Sequence, residues 1–461
     1  MKKYVFIDWN ETEAGYGVKL RGYFPQNASP YGIRLKAHKP IIDKAPILVA
    51  DKEWESFRIG CYCSASKIDG KYYLWYTSIV GDNVIDNYHS MLCLAVSDDG
   101  INWEKPALGV YDFNGNTKTN IVRNGPYPMD CADTVFYDVQ ADESQRYKLI
   151  FTRWVDGENN ERYLELIGMT SKDGIHWENE HTVMSKLGGD TQSSLFYDDL
   201  IRKYVIYTKG CKGFNGGRRS ILRAVSDKFS DFVGEGMVAN AGDFSKDAAV
   251  DLYTSSCIKW PGADNAYLMI PAAYHRTTDT IRPIFGISRD GIRWSFPIDE
   301  NWIENTEKIP SIYPGVGVVD NADGTWSFYL GESTINHNCP NRPNNSYLGM
   351  IRRATIREDG FMSIRADSLG MFCTSREFSF ESNEVRINAN CDPSGYIKVA
   401  VADTNTTEEI EYFSAKDCRL EKINNAWYNV KWNKPLEQLD KRKKYRLKFH
   451  IFSADIYSFM A

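Results

Sequence analysis

A seven-residue phrase repeats along the chain, and it limits the possible folds more than any other feature of the sequence. Complete copies occupy residues 97–103 (SDDGINW), 171–177 (SKDGIHW) and 288–294 (SRDGIRW). A degraded copy lies at 226–232 (SDKFSDF), and a shortened one lies at 357–361 (REDGF). The spacing is irregular while the phrase stays constant, which is typical of one structural unit repeated with loops of variable length.

Each copy of the phrase follows residues that favour β-strands. Runs of β-branched and aromatic residues precede the five copies, at 71–77, 147–152, 204–208, 267–271 and 326–330. Asp-Gly, Ala-Asp and Asn-Gly turns bound these runs, so they predict the antiparallel strands of four-stranded blades. The phrase itself predicts a turn, in which Asp-Gly supplies the left-handed bend and the Trp anchors the strand that returns.

The apolar faces of five such sheets must be covered by neighbouring sheets, and arranging the sheets radially around a central axis is the common solution. The sequence therefore predicts an all-β fold, with a five-bladed β-propeller over residues 1–362. Residues 363–461 lack the complete phrase and contain short alternating strands, which predict a C-terminal β-sandwich. No amphipathic pattern of helical length appears.

Composition excludes several classes of partner. The net charge is −6 and the basic residues are scattered, which argues against nucleic acid as a partner. No apolar stretch approaches the length of a membrane span. The ten cysteines show no CxxC pair and no zinc spacing, which indicates reduced core thiols. The apolar run near the start ends at Asp8, too early for a signal peptide, so the sequence predicts a cytoplasmic protein. It predicts no oligomeric state.

Three aspartates hold matching places in the aligned repeats. Asp130 and Asp190 each stand six residues before a Phe-Tyr pair, and Asp251 stands in nearly the same place in the fourth repeat. We expect all three at the tops of inner strands, where the blades converge. Gathered carboxylates repel one another, which raises the pKa of at least one, and glycoside hydrolysis needs one protonated and one ionised carboxyl group. The alternatives are turn caps and a structural cation held on the axis.

Further side chains are predicted to bind substrate around these aspartates. The candidates are Glu55, Asp133, Gln192, Tyr253, His275, Tyr313 and Glu332. The two tyrosines would be platforms for sugar rings, although aromatic packing between blades is the alternative. His275 and His337 follow strands and would hydrogen-bond sugar hydroxyls. Arg218, Arg219 and Arg223 surround a strand start, where one can face an anionic substrate.

Several of these motifs together resemble a known group of proteins. The motifs are the Trp54-Glu55 pair, residues 97–109, 120–122, 190–192 and 251–254. They are similar to bacterial glycosyl-hydrolase-like proteins related to the five-bladed β-propeller furanosidase superfamily, which contains glycoside hydrolase families 32 and 43. The resemblance covers nearly the whole chain. It implies acidic residues from different blades around the axis and no organic cofactor.

The sequence also departs from that superfamily. The resemblance implies that base, pKa modulator and acid come from the first three blades, yet the first inner strand, residues 58–61, has no aspartate at the matching point. The WMNDPNG, RDP and EC phrases of family 32 are absent. The roles of Asp130, Asp190 and Asp251 are therefore inferred from their positions in the repeats.

The resulting hypothesis is a glycoside hydrolase acting on a small oligosaccharide or glycoside, with furanosides among the candidates. Asp190 would be the base or nucleophile, and Asp130 or Asp251 would be the acid or the pKa modulator. No metal ligand and no cofactor is predicted, apart from the alternative of an axial structural cation. The rival hypotheses are a non-catalytic carbohydrate-binding propeller and a scaffold for a protein partner.

Overall fold

The structure is a computed structural model, and it describes the chain except for residues 14–29, 82–87, 126, 128–129, 158–160, 187–188, 211–217, 299–301, 339–348, 381–382 and 425. Within the described residues all regular structure is β-strand apart from short 3-10 helices, which are Trp9–Glu11, Glu53–Glu55, Glu143–Gln145, Ala241–Asp243 and Leu436–Gln438. The all-β prediction is confirmed. No helix in this part of the chain has the length and apolar character needed to cross a bilayer. Its eight cysteines are free thiols, and seven of them are buried.

The described strands are numbered in chain order. The first are β1 (Lys3–Val5), β2 (Arg34–Ala37), β3 (Ile41–Ile42) and β4 (Leu48–Val49). The next are β5 (Arg58–Ile68), β6 (Lys71–Gly81), β7 (Tyr88–Ser97), β8 (Ile121–Asn124), β9 (Cys131–Tyr137), β10 (Tyr147–Asp156), β11 (Arg162–Ser171), β12 (Glu178–Ser185), β13 (Ser194–Asp198), β14 (Lys203–Gly210), β15 (Ser220–Ser226) and β16 (Val233–Ala239). There follow β17 (Val250–Leu252), β18 (Cys257–Lys259), β19 (Tyr267–Met269), β20 (Ala272–His275), β21 (Thr280–Pro283), β22 (Gly286–Ser288), β23 (Ser311–Pro314), β24 (Val319–Asp320), β25 (Thr325–Ser333) and β26 (Gly349–Arg357). The last are β27 (Met362–Cys373), β28 (Arg386–Asp403), β29 (Leu420–Glu421), β30 (Tyr428–Asn429) and β31 (Tyr445–Met460).

Three sheets have the form that the repeats predict. Strands β5–β8, β9–β12 and β13–β16 each form a four-stranded antiparallel sheet whose neighbours follow chain order. Further along, β18, β19 and β22 form a three-stranded sheet, and the remaining strands from β17 to β26 join β3 and β4 in a nine-stranded one. This succession of sheets is a β-propeller arrangement, as predicted. Its compact unit comprises residues 40–260 and 265–355.

Hydrogen bonds connect the innermost segments of successive sheets in a closed ring. The bonded pairs are Ser64 with Val135, Thr134 with Ser193, Ser194 with Ser255, Ser256 with Gly315, and Cys63 with Val316. Most of these residues are small, so neighbouring backbones come close enough for a hydroxyl or amide to reach across. The ring begins and ends on β5, and it therefore surrounds a common axis.

The repeated phrase is a turn, as predicted. In the first copy, Ser97 Oγ accepts the N–H of Gly100 at 2.9 Å, and Asp99 Oδ1 accepts the N–H groups of Ile101 and Asn102 at 2.8 and 2.7 Å. These N–H groups lower the pKa of Asp99 from its ordinary value, because they stabilise the ionised carboxylate. Gly100 has a φ of +73°, the left-handed conformation that favours glycine.

The same turns also bind a neighbouring sheet. The glycine carbonyl of each complete copy accepts a hydrogen bond from an aromatic side chain of another sheet, in the pairs Tyr329 to Gly100, Trp75 to Gly174 and Tyr207 to Gly291. The Trp75 Nε1 to Gly174 O distance is 2.9 Å. The polar atom of each buried aromatic side chain thus has a hydrogen-bond partner, and the bond attaches the turn to the adjacent blade.

The ends of the chain correct the predicted domain boundaries. Residues 1–39, 261–264 and 356–461 form a second compact unit, in which β1 pairs with β31 and β2 with β27. The prediction placed residues 1–39 and the shortened phrase at 357–361 in the propeller. The physical reason for the difference is that β3 and β4 pair with the edge of β26, which is therefore occupied. The chain after β26 passes through the shortened phrase at 357–361 into β27 of the second unit. Seven strands of this unit share one sheet.

Candidate active site

Asp190 is the most accessible of the three aspartates. It stands four residues before β13, and its side chain is 50% exposed. Lys209 on β14 donates to its carboxylate and is itself only 5% exposed. Burial acts to raise the pKa of Asp190, but the charge and hydrogen bond of Lys209 outweigh it and lower the pKa. Asp190 is therefore ionised at neutral pH.

Asp251 lies on β17 and is almost completely buried. Its Oδ2 is 3.3 Å from Nη1 of Arg219, which precedes β15, and 3.6 Å from Nε of Arg276, which follows β20. Among the described residues its Oδ1 has no hydrogen-bond partner. The carboxylate is thus charge-balanced by two arginines, while one of its buried oxygens accepts no hydrogen bond within this part of the chain.

Aromatic side chains pack beside these two acids, in a group that we call the tyrosine cluster; its members are Tyr62, Tyr253, Tyr274, Tyr313 and His337. Tyr253 Oη and Tyr62 Oη are 3.2 Å apart. The centroid of the Tyr253 ring is 4.5 Å from that of His337, and Tyr313 Oη is 2.8 Å from His337 Nδ1. Tyr253 follows Asp251 by two residues and comes directly after β17, so the segment that carries the acid leads into the central ring.

Two cations connect the acids to this cluster. Nζ of Lys209 is 5.2 Å from the centroid of Tyr253, and the guanidinium of Arg219 is 5.5 Å from the same centroid. Both distances lie within the range of cation–π attraction. Lys209 pairs with Asp190 and Arg219 with Asp251, so the structure brings these two predicted acids together around Tyr253.

Asp130 has a different environment. It directly precedes β9, is fully buried, and receives a forked pair from Arg153 on β10, with Nη2 at 2.7 Å and Nε at 3.1 Å. Burial raises the pKa of Asp130, while the charge of Arg153 opposes the increase. Arg153 also binds Glu180 and lines a cavity of about 400 Å³ with Tyr127. None of the contacts recorded for Asp130 reaches the tyrosine cluster.

The other predicted binding residues divide into two groups. Tyr253 and Tyr313 belong to the tyrosine cluster. Gln192 is 1% exposed, and its Nε2 donates to the carbonyls of Cys63 and Asp133, each at 2.9 Å, so it braces three inner strands. His275 accepts a hydrogen bond from Nε of Arg282 at 3.0 Å.

The three remaining candidates are buried in ion pairs. Asp133 Oδ1 is 2.6 Å from Nε of Arg123, and burial of both groups explains the pairing. Glu332 receives Nε of Arg352 at 2.9 Å. Glu55 is fully buried, where it binds Nζ of Lys105 at 2.7 Å and the hydroxyl of Tyr76 at 2.6 Å. In these contacts the three acids support the sheets.

No metal centre emerges from this part of the molecule. Among the described residues, no three or more His, Cys, Asp or Glu side chains lie close enough together to hold a metal ion. The three aspartates therefore do not form a three-carboxylate cage, and each is balanced by a basic side chain instead.

Known proteins show a short sequence similarity and distant structural likenesses. No protein-family model matches the chain. Over 108 residues, 23% of this chain, it is 31% identical to a sucrose-6-phosphate hydrolase of Bacillus subtilis (strain 168), and the match spans 20% of that relative's length. The resemblance of the sequence to a sugar hydrolase is thus found again, over a limited segment.

Three of the similar solved structures illustrate the range. An N-acetylgalactosamine deacetylase from F. plautii in complex with blood group B trisaccharide has a TM-score of 0.48 at 12% identity, covering 70% of this chain and 95% of that one. A GH32 β-fructofuranosidase of Bombyx mori has a TM-score of 0.45 at 9% identity, covering 92% and 93%. The catalytic domain of a Coprinopsis cinerea GH62 α-L-arabinofuranosidase has a TM-score of 0.44 at 11% identity, covering 69% and 97%. At identities this low, the activities of those proteins do not transfer to this chain, and its chemistry has to be inferred from the residues of the site.

Several residues of the site were absent from the predicted set, and Lys209 and Arg58 are the most informative of them. Lys209 lies on a second strand, and its role depends on a contact with Asp190 that periodicity does not encode. Arg58 begins β5, where the other inner strands carry or follow an aspartate. The reversal of charge at that place was the signal in the sequence, but it was interpreted only as a missing acid.

Proposed function

We propose that this chain is a glycoside hydrolase that acts on a small oligosaccharide or glycoside at the axis of its propeller. One observation carries the proposal: Asp190 is an ionised, half-exposed carboxylate set beside a cluster of tyrosines. Aromatic faces stack on the apolar faces of sugar rings, and a carboxylate beside them can activate water or attack the sugar. The curated relative is also named as a hydrolase of a sugar compound.

The acids are proposed to divide the chemistry according to their environments. Lys209 keeps Asp190 ionised, which suits a base or nucleophile. Burial raises the pKa of Asp130, which suits the proton donor. Such opposite displacements are the arrangement that acid–base catalysis at neutral pH needs. Asp251 shares Tyr253 with Asp190 and would act as the pKa modulator.

The finer architecture is part of the same proposal. The five inner segments of the axial ring support five blades, with β3 and β4 completing the last. In the second unit, β27, β28 and β31 change register at bulges, after Ala366 in β27 and between Asn388 and Ala389 in β28. Bulges bend strands, and the bent strands enclose one hydrophobic core. This supports a β-sandwich made from a single hydrogen-bonded sheet.

A second candidate function is a carbohydrate-binding propeller without catalysis. The observation that favours it is that Asp130, Asp190 and Asp251 each have a basic partner. Carboxylates held in this way can accept hydrogen bonds from sugar hydroxyls without any proton transfer. A small carbohydrate is the partner in either case. The absence of an organic cofactor and the cytoplasmic location stay predictions.

The test is Asp190→Asn, assayed on a panel of aryl glycosides and oligosaccharides. We expect turnover to fall by at least roughly a hundredfold, because the amide can neither accept the proton nor attack the sugar. Asp227→Asn is the matched control, since that carboxylate is 79% exposed in the turn after β15. Full activity in Asp190→Asn would refute the assignment. Saturable sugar binding without hydrolysis by the wild type would establish the binding module instead.

A further inference from the structure

Arg58 is a buried cation that forms no ion pair with any of the residues that the structure describes. It begins β5 and is 9% exposed, and its Nε and Nη1 have no hydrogen-bond partner among the described residues. Within the same part of the chain, no carboxylate forms an ion pair with it. Its stem packs closely against Gly349, where an added Cβ would lie 2.6 Å from Arg58 Cγ. Isolated buried charges are costly, so their retention calls for a functional explanation.

The immediate neighbours of Arg58 do not neutralise it. Its guanidinium is 5.9 Å from the centroid of the Tyr313 ring, and it also contacts the thiol of Cys61. Burial raises the pKa of Tyr313 to about 12 and raises the pKa of Cys61 above its ordinary value. Both groups are therefore uncharged at neutral pH, and the positive charge of Arg58 remains uncompensated.

Three cations act on His337 in the tyrosine cluster. Burial lowers the pKa of His337 to about 3, and Arg58, Arg219 and Lys209 contribute to this decrease against the opposing charge of Asp279. Asp190 and Asp251 are already paired with Lys209 and Arg219. Asp279 accepts hydrogen bonds from Tyr274 and Asn338. Among the cations that act on His337, Arg58 is the one left for a ligand.

We infer that Arg58 binds an anionic substituent of the sugar, either the carboxylate of a uronic acid or the phosphate of a sugar phosphate. A guanidinium is planar and can present two parallel N–H donors to either group. Nε and Nη1 lie on different edges of the guanidinium, so an anion bound at one edge would satisfy one of the two unpartnered donors. This inference shares the axial site of the proposed hydrolase, but it requires only binding and not hydrolysis.

The first experiment uses the wild-type protein. Proton NMR follows the Hε1 resonance of His337 at pH 7. This resonance is assigned among those of the seven histidines because it is missing from the spectrum of His337→Asn. The additions are inorganic phosphate, glucuronate and glucose, each at constant ionic strength set with chloride. We expect a saturable shift with at least one of the two anions and none with glucose. If neither anion shifts the resonance saturably, the inference is wrong.

The second experiment compares variants by calorimetry with the anion that binds. Arg58→Gln should weaken binding at least tenfold, and Arg58→Lys should retain part of the affinity, because it keeps the charge and loses the fork. Arg293→Gln is the control, since that side chain is 90% exposed. Equal affinity in Arg58→Gln and the wild type would overturn the inference. If Arg58→Gln does not fold, Arg58→Lys and the wild-type titration still decide.

The pattern of binding identifies the substituent. Binding of phosphate alone supports a phosphorylated sugar, glucuronate alone supports a uronide, and both support recognition of charge as such. Asp190→Asn separates this inference from the proposed hydrolysis. Anion binding that persists in that variant while turnover is lost supports both, whereas normal turnover with anion binding leaves the inference standing and removes the catalytic assignment.

Discussion

Arg153 holds Asp130 in a forked ion pair, with Nη2 and Nε at 2.7 and 3.1 Å from one carboxylate oxygen. The arginine is 13% exposed and the aspartate is fully buried. The pair therefore lies at a depth where each charge depends on the other. The pair connects the residue before β9 to β10. Removing it should therefore change both the stability of the second blade and the environment of the candidate acid.

The first prediction concerns that pair. Arg153→Gln should lower the free energy of unfolding by about 3–5 kcal/mol, because it leaves the Asp130 carboxylate buried and unpaired. Chemical denaturation measures this loss. The control is Arg162→Gln in the same sheet, whose side chain and partner Asp156 are 58% and 90% exposed. The control should change stability by less than about 1 kcal/mol; equal losses would show that the Arg153 pair is not special.

The second prediction concerns the protonation of Asp190. Lys209→Met removes the cation that lowers the pKa of Asp190, so that pKa should rise. If Asp190 is the base, the acidic limb of the kcat/KM profile moves to higher pH, because the carboxylate becomes protonated sooner as the pH falls. A pH–rate profile of both proteins measures the displacement. An acidic limb that stays in place or moves to lower pH contradicts the assignment.

The third prediction concerns the turn at Gly174, which is hydrogen-bonded to Trp75 of another blade. Gly174 has a φ of +74°, and a Cβ there would meet Trp75 at 2.8 Å and Tyr147 at 2.9 Å. Gly174→Ala should therefore cost about 1–3 kcal/mol of stability. Gly115→Ala is the matched control, since Gly115 has a φ of +86° but no atom within 4 Å of the added Cβ. The control should lose about 1 kcal/mol, and equal losses would mean that contact with the next blade contributes nothing.

The fourth prediction compares two of the buried arginines, Arg58 and Arg123. Arg58→Met should raise the free energy of unfolding of the ligand-free protein by up to about 3 kcal/mol, because it removes an uncompensated buried charge. Arg123→Met should lower that free energy, since Arg123 is 3% exposed and neutralises Asp133. Denaturant titration measures both changes. A loss of stability in Arg58→Met would show that the guanidinium is structural.

The fifth prediction concerns pH. Burial and the neighbouring cations lower the pKa of His337 to about 3, below the ordinary 6.5. A group with a depressed pKa contributes stability above its unfolded pKa and loses it as the pH falls. Between pH 6 and 4 this residue should therefore add a slope approaching about 1.4 kcal/mol per pH unit. The slope should be smaller in His337→Asn and unchanged in His176→Asn, whose imidazole is 67% exposed.

Local patterns were enough to predict much of the propeller. The phrase around Asp99 and Gly100 encodes its own turn, because the carboxylate and the left-handed glycine act within four residues of one another. The aromatic runs that precede the five copies of the phrase form β6, β10, β14, β19 and β25, because strand preference also depends on residues close together in the chain. Alignment of the repeats also predicted Asp190 and Asp251 at the starts of inner strands, and in the structure Asp190 precedes β13 and Asp251 lies on β17.

Contacts between distant segments lay outside the reach of such patterns. Nothing near Ile41 indicates that it pairs with Thr355, so the closure of the propeller by β3 was missed. The role of Asp190 likewise depends on Lys209, and that of Asp130 on Arg153, in each case from another strand.

The sequence alone determined the repeated unit, its turns and the acids at the inner strands, because those features depend on residues close together in the chain. Only the tertiary structure decided which cation balances each acid and that no carboxylate of the described residues pairs with Arg58, because electrostatic partners are determined by distance in space. Burial then converted those distances into the opposite displacements of pKa at Asp130 and Asp190.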